Sequence, residues 1–100
     1  MENKHALLAV VNNLQIGETG LEKSTEYHFE NLVSFLNDLI LNDFNRLLSI
    51  LYRMDISEDR LKRKLAENKE SRISSAELIA HLMIDREKEK IISREKHKRP

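Results

Sequence analysis

No cysteine occurs in the chain. Disulfides, thiolate nucleophiles and cysteine-ligated zinc sites are therefore excluded, and the composition suits a reducing compartment. Glycine is almost as scarce. Gly17 and Gly20 are the only two, so there is no glycine-rich loop to cradle phosphates and no glycine-flanked elbow to hold a nucleophilic serine. The single proline is the last residue, Pro100, so no helix is interrupted by one. Strand-forming residues never alternate with polar ones over a useful length, which argues against a sheet. The apolar run at residues 6–11 ends at Asn12 and Asn13 and is too short for a signal peptide. Nothing approaches the roughly 18 apolar residues that a membrane span needs. The expectation is a soluble, cytoplasmic protein without a membrane partner.

What the chain does contain points to helices. One hundred residues fit one small domain with a single core. Hydrophobic residues at 40% and charged residues at 34% describe a helical protein with a well-solvated outside. The predicted fold is all-α, an irregular antiparallel bundle of four or five helices. Residues 1–20 are read as an N-terminal helix plus a glycine hinge, 24–92 as the bundle core and 93–100 as a basic tail. The net charge is zero, but it is unevenly spread. Residues 1–50 hold three basic and seven acidic side chains, and residues 51–100 hold fourteen and ten. That polarity suits head-to-tail association, a basic face for an acidic partner, or simply oppositely charged neighbouring helices.

The densest apolar face lies at residues 43–56, DFNRLLSILYRMDI. Phe44, Leu47, Leu48, Leu51 and Met54 recur there at helical spacing, which marks this stretch as the expected central helix. Before it, Leu7, Leu8, Val11 and Leu14, with Ala6 and Val10 beside them, form the apolar face of a first helix, and the glycine hinge leaves that helix free to swing or dock elsewhere. Ser24 or Thr25 caps a second helix with a wide stripe of Phe29, Leu32, Val33, Leu36, Leu39 and Ile40, flanked by Tyr27 and Phe35. A break is expected at Asn42–Asp43. Ser57 is a good N-cap, with Glu58 and Asp59 in the favourable first turn and Ile56 and Leu61 as a hydrophobic staple. Ser74, Glu77, Ile73 and Leu78 repeat the pattern with a capping box. The last helix is expected to pack through Ala76, Ile79, Ala80, Leu82 and Met83, and its core stripe to end at residues 85–90, DREKEK. Ile91 and Ile92 then reappear.

Leu51, Tyr52, Arg53, Met54 and Asp55, followed by the Ser57–Glu58 helix start and by residues 78–90, resemble a group of short, uncharacterised bacterial helical proteins. The likeness covers roughly the second half of the chain. It implies a small helical protein. That group has no assigned activity, cofactor or catalytic residues, so the resemblance implies nothing about chemistry.

Three constellations bear on chemistry. Glu77, His81 and Asp85 recur every four residues on one helix face, with His28, Glu26 and Glu30 as partners from a neighbouring helix. A straight helix brings only two such ligands to one ion, and Glu77 is already a capping residue. No metal site or other cofactor is expected. Arg53 and Asp55 flank a tight turn beside Tyr52 and serve most simply as helix-end and turn residues. Arg60, Lys62, Arg63 and Lys64 form a basic run after a short turn, as a helix-turn-helix would have. However, the residues that would enter the groove first are Glu58 and Asp59, which repel phosphates.

The function expected is a non-enzymatic protein-interaction or regulatory module that self-associates, as a homodimer, through helical apolar faces. Phe35, Leu39, Ile91 and Ile92 are the candidate contacts. The alternative is a nucleic-acid-binding helical protein that uses Arg60, Lys62, Arg63 and Lys64.

Overall fold

The computed structural model describes residues 2–14, 24–68 and 73–98. Among these residues there are five helices and no strand: α1 (Glu2–Leu14), α2 (Thr25–Asn42), α3 (Phe44–Arg53), α4 (Glu58–Glu67) and α5 (Ser75–Lys98). The all-α bundle is thus as expected. The glycine hinge at Gly17 and Gly20 lies outside the described residues.

The helix boundaries follow capping chemistry. The Ser24 hydroxyl accepts from the Tyr27 N–H at 3.0 Å and starts α2. Asp43 both ends α2 and starts α3. Its N–H donates to the Leu39 carbonyl at 2.8 Å, and its carboxylate accepts from the Arg46 N–H at 3.2 Å. One non-helical aspartate (φ −155°, ψ 68°) therefore breaks the chain into two helices without glycine or proline. The Ser57 and Ser74 hydroxyls accept from the Arg60 and Glu77 N–H groups, at 3.1 and 3.2 Å.

The central element is α5, not the stretch at 43–56. Helix α5 packs on α1, α2 and α4, whereas α3 packs chiefly on α2. The physical reason lies in the shape of the two apolar patterns. Between Ile79 and Ile84 every α5 residue except His81 is buried, so this helix is covered on nearly all sides. A helix that is apolar most of the way round belongs inside, and one with a single sharp stripe covers something else. The sharp stripe of α3 is the mark of a peripheral helix. Phe44, expected on its core face, is 49% exposed.

Two further expectations change. First, α1 is an integral part of the core. Ala6, Leu7, Val10 and Val11 are buried, while Leu8 is only half-buried. The buried face is turned from the expected Leu7–Leu8 line because α1 packs on both α5 and α2. Second, the core stripe of α5 does not stop at the charged run. Glu87 is buried between Ile84, also buried, and Ile91, which packs on the core. Its carboxylate accepts from the Asn13 amide at 3.5 Å and lies 3.8 Å from the Lys90 ammonium. The helix then continues to Lys98, through most of the segment read as a tail.

The wide stripe of α2 is explained within the chain, because α2 touches three neighbours: α1, α3 and α5. No helix among the described residues is long and apolar enough to cross a membrane.

Candidate interaction surface

The α3–α4 junction is built by two backbone devices. Helix α3 ends when the Ile56 N–H reaches back to the Leu51 carbonyl (3.0 Å) and the Asp55 N–H to the Tyr52 carbonyl (3.1 Å). This is the Schellman pattern, which needs a left-handed residue between helix and exit. Asp55 fills that place with φ 61°, where glycine is usual. Leu51 and Ile56, the two ends of the bond that spans more residues, are both buried. They supply the apolar contact that accompanies this motif. Ser57 then caps α4, so the reversal from α3 to α4 takes only four residues.

The two helices that diverge from this turn are held by different partners. Helix α3 lies on α2 and α4 on α5. The hold on α4 is ionic as well as apolar. The Arg60 guanidinium donates to both oxygens of Glu89, Nη2 at 2.7 Å and Nη1 at 3.3 Å. Arg86 joins the same carboxylate at 3.2 Å and lies 3.8 Å from Asp55. Hydrogen bonding from Arg60 holds the Glu89 carboxyl below the ordinary carboxylate value, against a smaller opposing push from burial. The same bond raises the Arg60 guanidinium.

Between α3 and α4 a cleft of about 660 Å³ remains. Leu48, Leu51, Ile56 and Leu61 form its apolar surface, with Ser49, Tyr52, Arg53, Ser57 and Glu58 around them. Leu51, Ile56 and Leu61 are already buried by the chain itself. Tyr52 is 84% exposed. Phe44, Leu48 and Tyr52 stand four residues apart, so they share one face of α3. No acidic residue occurs in α3, which carries Arg46 and Arg53, whereas the first turn of α4 carries Glu58 and Asp59.

The residues singled out from sequence fall elsewhere. Leu39, 5% exposed, belongs to the core, which removes it as a contact for a second chain. Phe35 and Ile91 are half-buried against that core. Ile92 alone of the four is open, at 43%. The basic run does not form one face either. Arg60 is committed to Glu89, and Lys64 lies 3.7 Å from Glu67, which leaves Lys62 and Arg63 as its exposed members without an ion pair among the described residues.

The candidate metal ligands are spread over two cavities that share Glu30. His81 and Asp85 share a cavity with Glu26 and Glu30, whereas Glu77 lines a different one. His28 is buried, and its ring meets that of Tyr27 edge-on at 5.5 Å. His81 is stacked at a tilt on Phe29, 5.1 Å between ring centres. Among the described residues no group of three or more potential ligands is placed to hold a metal ion.

What sequence reasoning misses is the openness of the α3 surface. In the sequence Tyr52 stands out only as a neighbour of the turn. Its spacing of four residues from Leu48 and eight from Phe44 is a signal, but the same spacing also describes a core stripe.

Comparison with family models, with curated proteins and with solved structures finds no match to this chain.

Proposed function

We propose that the chain is a small non-enzymatic interaction module that self-associates through the α3–α4 surface. The observation that carries this reading is the Phe44–Leu48–Tyr52 stripe beside an apolar cleft, with Tyr52 almost fully exposed. Apolar residues exposed singly are ordinary on protein surfaces. Two open aromatic rings on one helix face, with half-buried Leu48 between them and an apolar cleft alongside, are what a docking surface requires. Tyrosine is among the side chains most often found at the energetic centre of such contacts, because it buries a large rigid ring and keeps a polar end. The occupant that fits is a second copy, since the basic α3 and the acidic start of α4 complement each other between two chains.

The test is light scattering on a sizing column at two protein concentrations, with wild type and Tyr52→Glu. Wild type is expected at twice the chain mass at the higher concentration. Tyr52→Glu is expected at the chain mass, with unchanged helicity by circular dichroism. A wild-type protein that stays monomeric at both concentrations overturns the reading, as does a variant that dimerises like wild type.

A further inference from the structure

We infer that the two copies pair across a two-fold axis, with Tyr52 of each entering the cleft of the other and Arg53 of each facing Glu58 of the other. This rests on the self-association proposed above and adds its symmetry and register.

Two charged residues, Arg53 and Glu58, line the cleft. Arg53 lies in the last turn of α3 and Glu58 in the first turn of α4. Neither has an ion-pair partner among the described residues. Asp59, next to Glu58, also has no ion pair among the described residues, but it does not line the cleft. Arg60, Arg86, Glu89 and Asp55 form the internal network that ties α4 and the turn to α5. The cleft lining thus keeps one cation and one anion for an outside partner, one on each wall.

A two-fold contact is self-complementary: if residue i of one copy meets residue j of the other, then j meets i. A cleft with opposite charges on its two walls satisfies that condition. Placing Arg53 opposite Glu58 of the second copy creates two attractive contacts at once, and it brings each α3 stripe toward the other copy's α4 wall. The aromatic ring supplies the apolar burial, which has no directional preference. The charges supply the register, because the wrong alignment would set Arg53 against Arg53 or Glu58 against Glu58. The arrangement leaves Lys62, Arg63 and the α5 surface outside the contact.

Charge reversal separates this geometry from any other. Arg53→Glu gives a chain with two acidic walls, and Glu58→Arg gives one with two basic walls. Each variant alone is expected to dimerise at least about tenfold more weakly than wild type, since both contacts become repulsive. Mixed in equal amounts, the two variants are expected to form a heterodimer, because the like-charge contacts are then replaced by attractive ones between unlike chains. The double variant is expected to recover homodimerisation.

Sedimentation of the separate variants, their mixture and the double variant reads all of these, with melting curves to confirm that each chain is folded. The mixture is the decisive sample, because a charge effect within one chain cannot be repaired by adding another. If wild type dimerises and Tyr52→Glu does not, but mixing restores nothing, the register is overturned while self-association through the cleft stands. If wild type is monomeric throughout, both fall together.

Discussion

The Arg60 guanidinium grips both oxygens of the Glu89 carboxylate, at 2.7 and 3.3 Å, across 29 residues of sequence. This pair fixes α4 against α5 and therefore sets one wall of the cleft. It also takes the first residue of the basic run away from any phosphate.

The pair makes a pH-dependent contribution to stability. The folded Glu89 has its pKa lowered, chiefly by the Arg60 hydrogen bond, from the ordinary 4.5. A group depressed in the folded state stabilises fully above its unfolded pKa, and the contribution disappears as pH falls through the folded one. The pair is partly exposed, so solvent screening limits it to about 1 kcal/mol or less. Glu89→Gln is expected to be less stable than wild type at pH 7, and the difference is expected to vanish below the depressed pKa. Urea unfolding of both chains at pH 7 and at successively lower pH measures it.

Asp55 holds a left-handed backbone conformation that glycine adopts without cost. A residue with a side chain is penalised there by about 1 kcal/mol, somewhat less for aspartate. Its link to Arg86 is long, and its side chain is 76% exposed, so little is lost with the carboxylate. Asp55→Gly is expected to raise the melting temperature by a few degrees. Asp55→Val is expected to lower it by more, because a β-branched side chain is a poor fit at positive φ. Thermal melts of the two variants in opposite directions would identify the backbone, and not the charge, as the source.

Glu87 places a carboxylate in the core stripe of α5. Its two polar partners, Asn13 and Lys90, sit at the long end of their ranges, 3.5 and 3.8 Å. Buried charges held this loosely are often replaced by apolar side chains at no loss. Glu87→Met is expected to leave stability unchanged or to raise it by about 1 kcal/mol, as read by chemical denaturation. A loss of several kcal/mol would show that the carboxylate is better compensated than these distances indicate.

The face that α1 buries is checked by two neighbouring leucines. Leu7 is buried and Leu8 is half-buried. Leu7→Ala is expected to cost about 2–5 kcal/mol, as for a fully packed leucine, and Leu8→Ala clearly less. Equal losses would put the helix in the rotation that the Leu7–Leu8–Val11–Leu14 line predicts.

Capping residues and periodicity act within a few residues, so they are legible in the chain's linear order. Ser24, Asp43, Ser57 and Ser74 each begin a helix because a side-chain oxygen meets the N–H three residues on. The scarcity of glycine and proline and the repeated apolar faces together determined an all-α domain. Which face meets which neighbour is a property of the whole assembly. A sharp stripe such as that of α3 looks central in a one-dimensional reading, yet it is the pattern of a helix with a single side to bury. Only the packed chain revealed that α5 is surrounded, that Glu87 lies inside and that Leu39 is core. It likewise decided that Phe44 and Tyr52 stay open and Leu48 only half-covered, because α3 and α4 rest on different helices. The local sequence determined where each helix starts and what it could bury, and tertiary packing decided which of those apolar faces the chain itself would cover.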